Sequence, residues 1–322
     1  MRIALTYNEK RSTTETEAEF DTRATIDALS ARLGRLGHQV TALEVGGLAN
    51  HSIPRLIDRL RRVAPDVVFD LAEGERGAFR EAFYPALFEQ LGLACTGSSP
   101  STRALCLDKA LACRVVGAAG VAVPGGTVVR SERDLAEFVR HPLEPPWIVK
   151  PNYEGSSKGI TPASVVDAPA LLVDAIRGSL ARHPEGVLIE HFVDGLDVAV
   201  GWVDGLGWLP AIAYRYERRG RHAVYDYALK HLEPERVRVE IPAELPGEVL
   251  TRVQLAATRA FAALGVSGYG RADFRVTPNE VVFLEINPLP SLGDGELFAA
   301  AATIGASAEA LLACIVRSAR PA

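Results

Sequence analysis

Short apolar runs alternate with amphipathic stretches along this chain, and their lengths and periods predict its elements. RIALTY near the start, HQVTALEV and PDVVFDL are runs of strand length, while residues 21–36 repeat apolar positions at a spacing near 3.6 and predict a helix. Strands separated by helical stretches predict a doubly wound α/β layer over roughly the first hundred residues. A helix in REAFYPALFEQLG stops at Gly92, LACTGSS follows, and a second helix is predicted over 102–117, where a new domain opens. WIVKPNYEGSSKGIT predicts a strand, a turn of small residues and a return strand, with a capped helix in PASVVDAPALLVDAIRGSL behind it. VLIEHFV predicts a buried strand, DVAVGWVDG with WLPAIAYRYE a hairpin, and 246–264 a helix; RADFRVTPNEVVFLEINPLP and an alanine-rich helical tail close the chain. The expected division is 1–102, 103–188 and 189–322, with no internal repeat and no low-complexity linker.

Composition narrows the function. A chain of 322 residues with 48% hydrophobic and 23% charged residues can bury a large core and fits two or three ordinary soluble domains. The formal charge of -5 and the pI near 5.9 give no field that would draw in nucleic acid, and no run of five basic residues occurs. No apolar run reaches 18 residues and MRIALTYNEK turns polar early, so neither a membrane span nor a signal peptide is expected, and the location should be cytoplasmic. Cys95, Cys106, Cys113 and Cys314 match no zinc or disulfide spacing and read as reduced core thiols.

The chemistry sits where charge interrupts apolar runs. Asp273, Glu285 and Asn287 lie among Phe, Val, Leu and Ile, where a bare carboxylate would lose several kcal/mol of hydration unless a cation compensated it, and a metal would do so. Strand alternation puts Glu285 and Asn287 on one face. Asp273 joins them only if the VTPNE turn has an odd number of loop residues or the pairing carries a bulge; an odd loop is the expectation. EGSSKGI brings two glycines, two hydroxyls and a lysine into one turn. Alone it reads as an ordinary hairpin turn, but with Lys150 on WIVKP, Lys109 in CLDKAL and a distant acidic set it points to a nucleoside triphosphate site. No G-x-x-x-x-G-K-[ST] loop occurs, GYGRAD lacks the third glycine of the dinucleotide fingerprint, and no G-x-S-x-G elbow is present. Residues 218–234 are rich in charge without apolar periodicity and predict a mobile loop.

The order LAEGERGAFREAFYPALFEQLGLACTGSS, LDKAL, IVKPNYEGSSKGI, VLIEHFVDGLD, YALKH, GYGRADF and FLEINPLPSL resembles, over nearly the whole chain, the D-alanine-D-alanine ligase branch of the ATP-grasp superfamily. The resemblance implies a three-domain ATP-grasp fold, α/β with α+β character in the ATP-binding part, in which 1–102 is the substrate-side domain and 103–188 and 189–322 clasp ATP. It also implies a ligase that activates a carboxylate as its acyl phosphate and lets an amine attack it. By the same resemblance Asp273, Glu285 and Asn287 hold Mg2+, or Mn2+ in its place, and Lys109 and Lys150 hold the phosphates. Ser156 and Ser157 form the phosphate loop, Ser156 also counting with Lys230 and Arg271 among the catalytic groups. Glu190, His191 and Val193 lie on the adenine-binding strand, and Asp197 stands where the family usually has a ribose-binding Glu. Lys230 closes a mobile loop over the γ-phosphate, and Arg271 stabilises charge on the transferring group.

The substrate side departs from the family pattern. The Gly-Gly loop and its amine-binding glutamate are replaced by NEKRSTTETEAEF, so Glu17 or Glu19 would take that role. Glu73 and Glu75 lie near the family's His-Gly loop, and Glu75 is the residue chosen for the substrate. His231 stands where relatives carry Tyr, and a titratable ring there would make acceptor choice depend on pH. Where the family has a Ser-Leu pair for the acceptor carboxylate, this chain has Glu296 and Leu297. Glu296 either faces the acceptor or, with Asp294, caps the helix LFAAAATIGA. Expected partners are amino-acid or peptide small molecules, with a homodimer open, and neither nucleic acid nor membrane. Ligation of other amino acids or short peptides in a secondary pathway, and a non-catalytic nucleotide-binding module, are the alternatives; a nicotinamide oxidoreductase is the competing enzyme class.

Overall fold

The structure, a computed structural model, describes residues 1–46, 52–217, 221–293 and 295–321. Its first sheet is parallel, in the order β2-β1-β3, from Arg2–Tyr7 (β1), Gln39–Glu44 (β2) and Val67–Leu71 (β3). Helix α1 (Arg23–Arg35) starts where the Thr22 side chain accepts the Thr25 N–H, and buries Ile26, Leu29 and Leu33. The sequence pattern did not reveal α2 (Ser52–Val63), an arginine-rich helix that buries only Leu56 and Leu60. Helix α3 (Arg80–Gln90) stops just before Gly92, which sits at φ +70°.

The helix expected over 102–117 is two helices, α4 (Pro100–Leu107) and α5 (Lys109–Ala118). Asp108, at φ -79° and ψ 91°, leaves the helical region, and its carboxylate accepts the Leu111 N–H at 3.0 Å. An aspartate whose side chain bonds the backbone ahead of it starts a new helix more readily than it continues an old one.

The second sheet is antiparallel, β4-β7-β5-β6, from Gly126–Val129 (β4), Trp147–Pro151 (β5), Val165–Val166 (β6) and Val187–His191 (β7). Helices α6 (Glu132–Arg140) and α7 (Pro169–Arg182) pack Leu135, Phe138, Leu172 and Ile176 against Trp147, Val149 and Ile189. The return strand expected directly after the glycine-serine loop is displaced to β6, because Ser156, Ser157 and Gly159 take positive φ values of 52°, 57° and 73° and curl the chain. The helix behind it accordingly begins only at Pro169, without a side-chain cap.

The third sheet runs β11-β10-β8-β12-β13, with β9 beside β8, from Leu196–Val203 (β8), Gly207–Trp208 (β9), Ile212–Tyr216 (β10), Val237–Glu240 (β11), Tyr269–Val276 (β12) and Val281–Asn287 (β13). Helix α8 (Gly247–Leu264) packs Val253, Ala257 and Ala260 against Ala272, Phe274, Phe283 and Ile286. The terminal helices α9 (Glu296–Thr303) and α10 (Ala308–Arg317) return to the first sheet, where Leu311, Leu312 and Ile315 share a core with Ile26, Leu29 and Leu33. The four cysteines are free, three of them buried. No single helix among the described residues is long and apolar enough to cross a membrane.

The β12–β13 hairpin corrects one expectation. Its turn is even, with Val276 opposite Val281 and Thr277 bonded to Glu280, so simple pairing would have set Asp273 opposite Leu284. A bulge at Leu284 supplies the odd residue instead: Phe274 pairs with Phe283 but Asp273 pairs with Glu285.

The deepest polar contact joins the first sheet to α4. Arg103 and Asp70, both 0% exposed, meet at 2.8 Å, and Asp70 also accepts the Thr6 hydroxyl at 2.7 Å. Removing one partner of such a pair leaves an uncompensated buried charge. Asp70→Asn, which keeps the shape, is therefore expected to destabilise the protein by about 3–5 kcal/mol, read as an earlier urea midpoint. Arg2→Ala, which breaks only the exposed Arg2–Asp66 pair, should leave the midpoint almost unchanged. Equal midpoints for the two variants would refute the assignment.

Candidate active site

The face of the third sheet turned away from α8, the loop 154–160 and the start of α5 enclose a cavity of about 490 Å³. Every residue chosen for the site from the sequence lines it except Glu75; Glu17, the alternative to Glu19, does not line it. At its floor the bulge sets Asp273 opposite Glu285 and Arg271 opposite Asn287, so all four side chains share the cavity face while Ala272 and Ile286 point into the core. Arg271 holds Asp273 in a two-point contact, with Nε and Nη2 each 2.8 Å from a carboxylate oxygen. Lys109, the first residue of the helix that Asp108 caps, places Nζ 3.1 Å from Glu285. Lys150 on β5 reaches Glu190 on the neighbouring β7 at 2.6 Å.

Burial raises the Asp273 carboxyl above its ordinary range despite Arg271, and the like charge of Glu285 adds to the rise. Burial pushes Glu285 the same way, but Lys109 and Lys150 outweigh it and hold that carboxyl below its usual range. Asn287 is oriented by the Leu289 N–H, which its Oδ1 accepts at 2.9 Å while keeping a second lone pair. Two carboxylates and an amide oxygen on one face fit a hard divalent cation, which would also relieve the repulsion on Asp273.

The upper wall is the glycine-serine loop. Ser156 and Ser157 are successive non-glycine residues in the left-handed region, a conformation that costs roughly 1–2 kcal/mol each and persists where the surroundings hold it. Gly155 is required beside them, since a Cβ there would lie 2.2 Å from Glu19 Oε1. The segment 221–234 lies over this loop; residues 218–220 of the expected mobile stretch fall outside the described residues. The Ser157 hydroxyl donates to the Tyr225 carbonyl at 3.0 Å, the Tyr227 N–H to Ile160 at 3.2 Å, and His231 Nε2 lies 3.1 Å from the Ser156 carbonyl. Burial lowers the His231 pKa, with Lys230 adding to the effect beyond the Ser156 contact that opposes it. Asp197 is held by Arg275 at 2.9 Å and by the Tyr216 hydroxyl, and burial still raises its carboxyl. Ile148, Phe192 and Leu284 give the cavity an apolar slot beside His191 and Val193.

On the substrate side Glu19 reaches the cavity and Glu75 does not. Gly74, at φ +72° and so close to Arg80 that a Cβ would clash, turns the chain between Glu73 and Glu75. Glu73 lines the cavity, whereas the Glu75 carboxylate packs beside Gly46 at the end of the first sheet. Glu17 instead accepts the backbone N–H groups of Arg11 and Ser12. Sequence reasoning missed Arg80, Glu81 and Tyr214 and assigned no role to Lys158. Arg80 grips Glu19 with two bonds of 2.9 Å, and Lys158 pairs with both Glu19 and Glu154. Against the cost of burial these cations take the Glu19 carboxyl down to about 2. Glu73 moves the opposite way, well above its usual range, through burial and the charges of Glu81 and Glu19. The signal available was REAFYPALFEQ, an apolar helix whose first turn opens with two charges. Glu296 is the first residue of α9 and lines the cavity, with the Tyr214 hydroxyl donating to it at 2.7 Å; Asp294 lies outside the described residues.

Residues 118–317 match the family model described as D-ala D-ala ligase C-terminus. A D-alanine–D-alanine ligase of Caulobacter vibrioides is 33% identical over 82% of this chain and 78% of its own length, and one of Gloeobacter violaceus is 34% identical over 82% and 83%. Among solved structures, the D-alanine–D-alanine ligase of Bacillus anthracis superposes with a TM-score of 0.78 at 22% identity over 99% of this chain and 97% of that one. The VanG D-Ala:D-Ser ligase of Enterococcus faecalis follows the same fold, with a TM-score of 0.77 at 21% identity over 98% of each chain. The matched C-terminal region carries the paired carboxylates and the segment 221–234, the relatives extend the likeness to 82% of the chain, and the chain therefore belongs to the D-alanine–D-alanine ligase family, with its ATP-grasp fold.

Proposed function

We propose that the protein is an ATP-dependent ligase that joins the carboxylate of one amino-acid or peptide substrate to the amine of another. The observation that carries this reading is the facing pair Asp273 and Glu285 beneath three lysines, Lys109, Lys150 and Lys230, around one cavity. Phosphoryl transfer develops charge on non-bridging oxygens and calls for positioning and compensation more than for acid–base groups. A substrate carboxylate oxygen attacks the γ-phosphorus of ATP, the bond to ADP breaks, and an acyl phosphate forms. The amine nitrogen then attacks the acyl carbon, phosphate leaves, and the nitrogen gives up its proton.

In this reading Lys109 and Lys150 hold phosphate oxygens, exchanging their present partners Glu285 and Glu190 for the nucleotide. Ser156, Ser157 and their backbone N–H groups cradle the phosphates, Lys230 approaches from the segment above, and Arg271 stabilises charge at the reacting centre. The slot beside Glu190, His191 and Val193 suits an adenine ring, and Asp197 a ribose hydroxyl. Asp273, Glu285 and Asn287 would hold Mg2+ or Mn2+, which when bound supplies positive charge to phosphate oxygens. A relative of the same fold has been solved as a complex with ATP, at a TM-score of 0.75. Division into a substrate-side domain (1–102) and two ATP-clasping domains (103–188 and 189–322) accords with the three sheets. Free cysteines support a cytoplasmic location. Phe79 and Phe83, 70% and 46% exposed on the first lobe, support a homodimer.

Glu285→Gln keeps the side-chain shape but removes a charge from the facing pair. Its kcat is expected to fall at least a hundredfold, equivalent to about 2.7 kcal/mol; near-normal ADP production at saturating magnesium would remove Glu285 from the metal set. The segment 221–234 should become resistant to protease when a non-hydrolysable ATP analogue and magnesium are added, because Lys230 then gains a phosphate partner. Cleavage at equal rates with and without the analogue would rule out a closing lid.

A further inference from the structure

The charge around Glu296 carries a statement about the substrate that the ligase reading alone does not make, although it rests on that reading. Glu296 is fixed from one side by the Tyr214 hydroxyl at 2.7 Å, and Arg271 Nη1 lies 3.7 Å away. Arg271 has already committed Nε and Nη2 to Asp273, so its single positive charge faces two carboxylates and leaves no surplus for a third. Of the other cations lining the cavity, Lys109 lies 3.1 Å from Glu285, Lys150 2.6 Å from Glu190 and Arg275 2.9 Å from Asp197, while the charge of Lys230 acts on Asp273. Across the cavity the remaining wall adds two more carboxyl groups, those of Glu73 and Glu81. Glu296 itself occupies the first turn of α9, so the positive end of that helix already faces a carboxylate of the chain.

We infer that the subsite walled by Glu296 takes an amine whose neighbouring group is neutral or cationic, such as a carboxamide-capped amino acid, and rejects one that carries a free carboxylate there. Two like charges about 4 Å apart at an effective dielectric near 20 disfavour each other by roughly a thousandfold in affinity. A carboxamide carries no such charge and its N–H can donate to Glu296, which a carboxylate cannot do. Glu296 is on this account a specificity-determining residue rather than a catalytic one, since it touches the part of the acceptor that does not react.

The test is a competition. The full-length protein with ATP and magnesium is given equimolar alanine and alaninamide, then lysine and lysinamide, in both D and L forms, and products are quantified by mass alongside ADP release. Amide-terminated products are expected to exceed acid-terminated ones at least tenfold. Glu296→Ser, which removes the charge from a partly exposed helix start, should shift that ratio at least tenfold towards the acid, whereas Glu296→Asp should keep the wild-type preference. Acid-terminated products formed as readily as amides by the wild type, or an unchanged ratio in Glu296→Ser, would overturn the inference while leaving the ligase reading intact. Absence of ADP release with every pair would count against the ligase reading and this inference together.

Discussion

One extra residue in one strand decides what the third sheet can do. Without the bulge at Leu284, the run from Val281 to Asn287 would have to choose between burying Phe283 with Val281 and presenting Glu285 with Asn287 to the cavity. Strand alternation gives residues 283 and 286 opposite faces, yet both are buried in the same core against α8. The bulge resolves the conflict by shifting the register once, so that the apolar set stays in the core and both acidic strands meet across the ladder. Two neighbouring carboxylates repel, and the fold tolerates them because Arg271 and Lys109 reach them from a strand and from a helix start.

That compensation also joins separate elements. Lys109 opens α5, whose Ala112, Cys113 and Val116 share the core of the third sheet, so its contact with Glu285 ties that helix to β13; Glu19, from the first lobe, meets Lys158 in the loop after β5. Such pairs are weak sources of net stability, because desolvation offsets much of the attraction, but they leave each buried charge with a partner.

Much of this was legible in the chain. The apolar runs announced strands of all three sheets, and the residues that interrupt them (Lys150, Asp273, Glu285) are cavity residues because a charge in an apolar run must face something polar. What the pattern hid depended on single backbone choices. Asp108 broke one helix into two by bonding the N–H ahead of it, which periodicity does not record. Gly74 sent Glu73 inward and Glu75 away, although the two look equivalent in LAEGER. Parity arguments found that Asp273 needed an odd residue, but could not say whether the turn or the strand would supply it. Arg80 and Tyr214 were hidden for another reason: each sits in an element whose period is satisfied without them, and only tertiary packing turns them towards a carboxylate.

The substrate end of the cavity is arranged around buried carboxyls and the cations that face them. A glutamate expected to meet a substrate amine is present as Glu19, but two cations neutralise it, and its carboxyl is held at about 2. Beside it stand Glu73 and Glu81 with both carboxyls raised, Glu73 by burial and the charges of Glu81 and Glu19, Glu81 by burial and the charge of Glu19. A carboxyl whose native pKa is raised destabilises the fold when ionised, so the protein gains stability as pH falls through that raised value and loses it as pH rises. An ammonium brought by a substrate reverses the sign by allowing Glu73 to ionise with a partner. Because Arg80 and Lys158 are fixed to Glu19 by the helix start and the curled loop that carry them, the charge deficit is built into the backbone arrangement, and the substrate is the component left to balance it.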